Sequence, residues 1–417
     1  MLKALKIRLY PNDEQTKQID KLLGCYRFVY NKCLDKKINS YKENKKSENL
    51  KTLGNYFHGE LIKCGEYSWL KEQNTKVLKQ SIIDMLNAYQ HFFNKHKGFP
   101  KFKSKHDNKQ SCRFELGAIS KRNIYSDYKL SLANIKNIKF RCSKKYAEYL
   151  NKNKQGIKSA TLSKLPCGQY YLSILIDGDL LKQVSPTKNT VGIDIGIKEF
   201  VITSNGEFFD NMHFKKSSFD RLKKLQRQLS RKQKGSNNRN KARLRLAKLN
   251  KKINDKKLNY LHEVTNVLIN ENQVICMEDL NVKGMLKNHK LAESISEMNF
   301  GEFKRMLEYK ASWYGRTIVK VDRFYPSSKT CNHCGYIKKD LKLSDRTWIC
   351  PVCGGIIDRD YNAACNIKDE GIRKLVGSST TELTLVENPT MDDKREISLK
   401  SSDSLKQENH NYKVVQV

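Results

Sequence analysis

Three acids interrupt stretches that otherwise read as protein core. In Val191-Gly192-Ile193-Asp194-Ile195-Gly196-Ile197 a single carboxylate sits in an apolar strand. Val274-Ile275-Cys276-Met277-Glu278-Asp279-Leu280 is a second apolar strand ending in acids, and Asp358-Arg359-Asp360-Tyr361-Asn362 opens a helix. A buried acid is costly unless its charge is compensated, so two strands and a helix each delivering one acid imply convergence. Converging carboxylates raise one another's pKa, and divalent cations remove the penalty. Mg²⁺ prefers oxygen ligands, and two such ions about 4 Å apart can stabilise both the attacking and the leaving oxygen of a phosphodiester. On this reading Asp194, Glu278 and Asp360 hold two catalytic Mg²⁺ ions, with Asp194 bridging them. Each segment alone is ambiguous. Gly-x-Asp-x-Gly also makes turns and phosphate loops, and Glu-Asp after a strand also caps helices. Asp279 and Asp358 are rival ligands, read here as capping or surface residues, and Asn362 either supports the site or caps its helix.

A second constellation is Cys331-x2-Cys334, fifteen residues, then Cys350-x2-Cys353. This is zinc-ribbon spacing, and four thiolates with no open position make one structural Zn²⁺ site. His333 reads as a knuckle residue. The basic loop between the pairs, with Arg346 and Trp348, either touches nucleic acid or is solvated around a buried tryptophan. The other eight of the twelve cysteines are scattered singly, as expected of small buried hydrophobes in a reducing compartment.

Charge narrows the partner. The chain of 417 residues carries 80 Lys and Arg against 44 Asp and Glu, a net +36. Residues 369–417 hold 9 acidic and 7 basic side chains, which leaves +38 on the rest. A field of that size calls for a polyanion, and nucleic acid is the obvious one. Lys215–Lys257 concentrates it, with 18 basic and 2 acidic residues. Leucines at helical spacing there predict a helical hairpin with one packed and one cationic face. Arg221, Lys224, Arg227, Arg231 and Arg243 are its candidate contacts to a nucleic-acid backbone. No apolar run approaches the roughly 20 residues of a membrane span, and the start lacks a signal-peptide pattern. The expected location is the cytoplasm, with no membrane partner.

The elements that must position these residues follow from periodicity. Lys3–Tyr10 alternates as a strand, and helical texture runs from about residue 11 to 97, clearest over Val77–Phe93. Short strands fill roughly 112–176 and suggest a small β-barrel, which the first strand returns to complete. The second half reads as a strand pair, the basic helices, a buried strand, a helix, a strand, the cysteine cluster and a last helix.

Together these motifs resemble the TnpB family, the OrfB-type proteins of insertion sequences related to type V CRISPR effectors. The resemblance rests on Gly192–Gly196, Glu278–Val282, and the run from Tyr325-Pro326-Ser327-Ser328-Lys329-Thr330-Cys331 through Asp360 to Ile367, with Gly98–Lys105 added. It implies an RNA-guided DNA endonuclease that cuts beside a short adjacent motif. Its partners would be a transposon-derived guide RNA and a double-stranded DNA target, and it admits a separate transposase encoded by the same element. In a prokaryote the protein would be nucleoid-associated. The family's catalytic triad falls on Asp194, Glu278 and Asp360, and Lys76 and Gln80 match positions that help read the adjacent motif in some relatives.

The expected fold class is α+β and multi-domain: an N-terminal β-barrel with an inserted helical domain, then an RNase H-like (RuvC) α/β domain with an inserted zinc ribbon. The boundaries are 1–10 and 111–185 for the barrel, 11–110 for the helical domain, 190–325 and 356–376 for the nuclease domain, and 326–355 for the ribbon. A disordered tail covers 377–417. The rival readings are transposase-type strand transfer, a non-cleaving RNA-guided DNA binder and an unguided RNase.

Overall fold

The alternating start forms β1 (Leu2–Tyr10), which buries Leu5, Ile7 and Leu9 on one face. The computed structural model describes residues 2–63, 65–94, 97–107, 109–115, 128–177, 185–214, 216–288, 292–342, 344–378 and 414–416. The chain divides into two units. One comprises 1–179, 232–248 and 410–417, and the other 180–231 and 249–409.

In the first unit Asn12 starts α1 (Asp13–Asn44). Its side chain accepts from the Gln15 N–H at 2.8 Å while the Gln15 side chain accepts from the Asn12 N–H at 2.9 Å, a reciprocal cap. Then come α2 (Leu50–Tyr56), a π-helical turn (Phe57–Lys63), a 3-10 segment (Gly65–Glu72) and α3 (Thr75–Phe93). The strands are β2 (Gln110–Glu115), β3 (Lys129–Leu132), β4 (Ile135–Arg141), β5 (Ile157–Lys164) and β6 (Tyr170–Asp177), with α4 (Lys144–Lys152) between β4 and β5. Their order is β2-β5-β6-β1-β4-β3. The first strand thus returns to the middle of the sheet, pairing antiparallel with β6 and, near its end, with β4.

Two expectations change here. Among the described residues the β2 and β3 edges do not pair, so the strands make a half-barrel sheet where a closed barrel was expected. Helix α4 occupies a stretch read only as strand and turn, although Tyr146, Tyr149 and Leu150 have helical spacing. The tail expected over 377–417 lies outside the described residues, apart from 377–378 and Val414–Gln416. The latter pairs in parallel with Ala4–Lys6, a stretch of β1 that β4 does not cover.

The second unit is built on β7 (Thr190–Asp194), β8 (Glu199–Thr203), β9 (Phe208–Asp210), β10 (Val274–Glu278) and β11 (Thr317–Val321), in the order β11-β10-β7-β8-β9. β7, β10 and β11 run parallel, while β8 and β9 are antiparallel additions. Parallel neighbours need long crossovers. These are supplied by α5 (Phe219–Ser230) and α6 (Asn237–Glu271) before β10, and by α7 (Val282–Met285), α8 (Ala292–Met298) and α9 (Phe300–Tyr314) after it. Residues 237–248 of α6 count with the first unit. A small hairpin, β12 (Thr347–Ile349) and β13 (Ile356–Asp358), precedes α10 (Arg359–Ser378).

Helix α10 lies directly on the sheet, and two glycines permit it. A Cβ at Gly192 would stand 2.1 Å from the Ala364 carbonyl oxygen, and one at Gly371 would stand 2.2 Å from Cys276 Sγ. Seven of the eight scattered cysteines fall among the described residues. Cys25, Cys33, Cys112, Cys167 and Cys276 are buried, and Cys142 and Cys365 are half-buried.

Candidate active site

Parallel strands deliver residues of equal register to the same edge. Ile193 pairs with Met277 across β7 and β10, so Asp194 and Glu278, one step on, stand side by side at the carboxyl ends of the two strands. Asp360 comes from the first turn of α10. Asp358 caps that helix, its Oδ1 accepting from the N–H groups of Asp360 at 3.1 Å and Tyr361 at 2.8 Å. The close seat of α10 at Gly192 carries Asp360 toward the strand ends.

The electrostatics agree with this placement. Burial, together with the charges of Glu278 and Asp360, pushes the Asp194 carboxyl up to about 7. Burial also raises Glu278, partly offset by the Ser327 hydroxyl, which donates to Glu278 Oε1 at 2.6 Å. Asp360 Oδ2 accepts from Arg346 Nη1 at 2.7 Å. Part-buried carboxylates at one sheet edge are hard-oxygen donors whose charge a divalent cation such as Mg²⁺ would relieve, although among the described residues only the four cysteines gather within mutual ligand distance. Asp279 is engaged elsewhere, paired with Lys304 and, at 3.6 Å, with Arg323.

The sequence reading gave no role to Ser327, Asn332 or Asn366. Asn362, Asn366 and Asp369 fall at helical spacing on one face of α10 and grip the segment ahead of the first cysteine pair. Asn362 Nδ2 donates to the Thr330 carbonyl at 2.7 Å, and Asn366 Nδ2 donates to the Ser327 carbonyl at 2.7 Å. The Asn332 amide reaches Asn366 at 3.0 Å and Asp369 at 2.8 Å. Asn362 and Asn366 are buried, so these bonds are made out of water and hold Ser327 beside Glu278. The i, i+4, i+7 spacing was visible in the sequence, but the partner strand segment was not.

The four cysteine sulfurs gather, all within 4.8 Å of one another. Cys331 and Cys353 are 3.7 Å apart and Cys334 and Cys350 3.5 Å apart. A tetrahedral zinc–thiolate centre with bonds of about 2.3 Å spaces its sulfurs by about 3.8 Å, so the residues fit Zn²⁺. The two knuckles repeat one pattern. Gly335 N–H donates to the Cys331 carbonyl at 2.8 Å and Gly354 N–H to the Cys350 carbonyl at 2.9 Å. Both glycines adopt positive φ, 76° and 70°. Trp348 packs with Leu341 and Ile357 beneath the cluster, so the ribbon's tryptophan is core. His333 is exposed and outside the sulfur cluster.

Comparison with known proteins shows the family of the chain. Residues 173–289 match the OrfB_IS605 family model, described as a probable transposase, and residues 300–367 match a Cas12f1-like TNB domain. Residues 1–46 match a helix-turn-helix model, although here they form a strand and one long helix. A Streptomyces pristinaespiralis protein named "Putative RNA-guided DNA endonuclease" is 36% identical over 372 residues, covering 89% of each chain. The chain belongs to the TnpB family. Escherichia coli K12 InsQ, which carries the same descriptive name, is 29% identical over 89% of this chain and 92% of its own. The Cas12f1 chain of a Cas12f1–sgRNA–target DNA complex superposes with a TM-score of 0.54 at 18% identity, over 86% of this chain and 83% of that one. At that identity the likeness is one of fold.

Within this TnpB chain the remaining candidates are dispersed. Arg221, Lys224, Arg227 and Arg231 are exposed on α5 and just beyond it, and Arg243 is exposed on α6. Their apolar neighbours Leu222, Leu249 and Ile253 are buried, as an amphipathic helix requires. Lys76 is exposed at the start of α3. Gln80, one turn on, is 2% exposed and belongs to the core face of α3, so it presents no open surface to a ligand. No helix among the described residues is long and apolar enough to cross a membrane.

Proposed function

We propose that this chain is an RNA-guided, divalent-metal-dependent DNA endonuclease encoded by an insertion sequence, cutting DNA beside a short adjacent motif. The observation that carries the chemistry is the register that sets Asp194 beside Glu278 at adjacent parallel strand ends, and burial together with the charges of Glu278 and Asp360 raises Asp194. The relatives' names supply the rest, since they are called RNA-guided DNA endonucleases. The segments 190–325 and 356–376 would be the nuclease domain, with 326–355 as its zinc ribbon.

Asp194, Glu278 and Asp360 would hold the divalent cations, which when bound supply charge neutralisation and Lewis acidity for phosphodiester hydrolysis. The chain's own residues set the stage. Ser327 fixes one oxygen of Glu278 and leaves the other for a ligand. Arg346 pairs with Asp360 and brings to the acids a planar fork suited to a phosphate. Asn362 and Asn366 hold the Ser327 segment on α10, and the Arg346 carbonyl accepts from the Arg359 N–H at 2.8 Å at the start of that helix. A guide RNA and a DNA duplex would be the partners, with the duplex read by base pairing to the guide.

The test is to purify the chain, sequence the RNA that accompanies it, and incubate the complex with matching duplex DNA and Mg²⁺. A discrete RNA and cut DNA ends are expected. Asp194→Ala should bind the same DNA and lose cleavage by at least about two orders of magnitude, as removal of a group acting on the transition state does. Wild-type cutting by Asp194→Ala would sink the assignment of the acids. Joined DNA ends would replace hydrolysis with strand transfer.

A further inference from the structure

One face of α1 is left open in the first unit. Lys21, Gly24, Phe28, Asn31 and Asp35 follow one another at helical spacing along it, and they line a groove of about 580 Å³. Its size falls in the roughly 300–1,000 Å³ range of small-molecule sites. Gly24 offers no side chain, and a Cβ there would meet nothing within 4 Å, so the floor is open.

Aromatic rings form the walls. Trp69 is half-buried and packs edge-on against Phe28 with centroids 4.9 Å apart. Phe102 is 55% exposed and faces the same groove. Its position is fixed by an amide clamp. Asn31 Nδ2 donates to the Lys103 carbonyl at 2.9 Å, and Asn31 Oδ1 accepts from the Lys103 N–H at 2.8 Å. Lys103 lies over the Tyr30 ring at 3.8 Å, while Phe102 lines the groove. The exposed Phe102 ring and the half-buried Trp69 both line the groove and offer it π-faces on which a base can stack.

The polar lining narrows the occupant. Arg27 and Lys32 stand on the rim, with Lys32 Nζ 5.3 Å from the Tyr67 ring centroid and 5.8 Å from that of Phe28. Lys21 is paired with Glu72. Aromatic walls with cationic rims suit a base and its phosphate. The exposed Asp35 carboxylate would repel a phosphate, but it accepts from a hydroxyl, and the 2′-hydroxyl is the group that marks RNA.

We propose that this groove is a subsite for one unpaired ribonucleotide of the bound RNA, with its base between Trp69 and Phe102, its phosphate on Arg27 and Lys32, and its 2′-hydroxyl on Asp35. The assignment rests on the RNA-guided reading above.

The test uses the full chain with the RNA that co-purifies with it. Ultraviolet crosslinking and peptide mass spectrometry should find an RNA adduct on a peptide bearing Phe28, Trp69 or Phe102. Phe102→Ala removes only a largely exposed ring. It should weaken binding of the resynthesised RNA about ten-fold, the scale of one stacked base, and abolish the adduct, while Phe102→Trp keeps both. Asp35→Ala should narrow the preference for an oligouridylate over the matching oligothymidylate. Wild-type RNA affinity in Phe102→Ala, an adduct elsewhere, or an adduct to DNA in the ternary complex would each overturn the subsite. If the wild-type chain carries no discrete RNA, the broader reading falls. If it does, and Phe102→Ala changes nothing, the groove alone falls.

Discussion

Asp194 links stability to pH in a direction that can be worked out. Its folded carboxyl lies near 7 against an ordinary 3.8. Between those values the metal-free folded state binds a proton that the unfolded state has released, so stability falls as pH rises through that window and is flat above it. Asparagine cannot ionise. Metal-free Asp194→Asn should therefore melt higher than wild type at pH 8, at about 2–4 °C per kcal/mol relieved, with the gap closing toward pH 4. Saturating Mg²⁺ should reverse the order by stabilising only the wild type, and calorimetry in Mg²⁺-free and Mg²⁺-saturated buffer, without a chelator that would strip the cysteine cluster, checks both. Ser327 is the second residue-scale case. Its hydrogen bond to Glu278 is part-buried and made to a carboxylate, a class worth about 1.5–3 kcal/mol. Ser327→Ala should lower cleavage about ten-fold and raise the Mg²⁺ concentration needed for half-maximal rate, whereas Ser327→Thr should retain both. Unchanged Mg²⁺ dependence in the alanine variant would remove Ser327 from the site.

At the scale of elements, the zinc ribbon and α10 are one mechanical piece. Among the described residues the ribbon's own buried core is five residues, Cys331, Leu341, Trp348, Cys350 and Ile357, too few to fold alone. A metal bound to the four cysteines would supply the folding free energy of the segment. Cys350→Ser, or a strong chelator, should expose residues 326–358 to protease while the first unit stays resistant. It should also abolish cleavage, because Ser327 and Arg346 lose their frame. Limited proteolysis with mass mapping reads the first outcome and the DNA assay the second. A ribbon that stays protected without metal would show that the asparagine ladder to α10 suffices.

At the scale of the whole molecule, charge dominates. A net +36 places the chain among polyanion binders, and α5 carries Arg221, Lys224, Arg227 and Arg231 on exposed positions. If each neutralises a phosphate, replacing all four with glutamine should reduce the slope of log affinity against log salt by about 3–4, at roughly 0.7–0.9 per contact. Salt titrations of RNA binding measure it. An unchanged slope would assign these side chains to solvent. The Asp194-dependent step should still operate on any DNA that remains bound, since the acids lie on β7, β10 and α10.

Periodicity in the sequence is enough to find the apolar strands around Asp194 and Glu278, because a charged residue inside a core strand stands out against its neighbours. Cysteine spacing is enough to find the ribbon, because two thiolates on a two-residue knuckle admit few other geometries. Helix α3 and the amphipathic α5 and α6 are legible for the same local reason. What is not local was settled only by the tertiary structure. Parallel pairing of β7 with β10 sets the register that puts Asp194 beside Glu278, and no single segment encodes a register. Gln80 looks available on a helical wheel until the packing of α3 buries it. Ser327 and Asn366 become partners of the site across long sequence separations, through bonds that exist only once α10 lies on the sheet. The strands of the first unit read as a barrel because alternation reports a buried face and not whether the two edge strands meet. The three acids were thus visible as types from the start, but the charge that Glu278 and Asp360 place on Asp194, and the bonds that tie the ribbon to α10, belong to the folded chain.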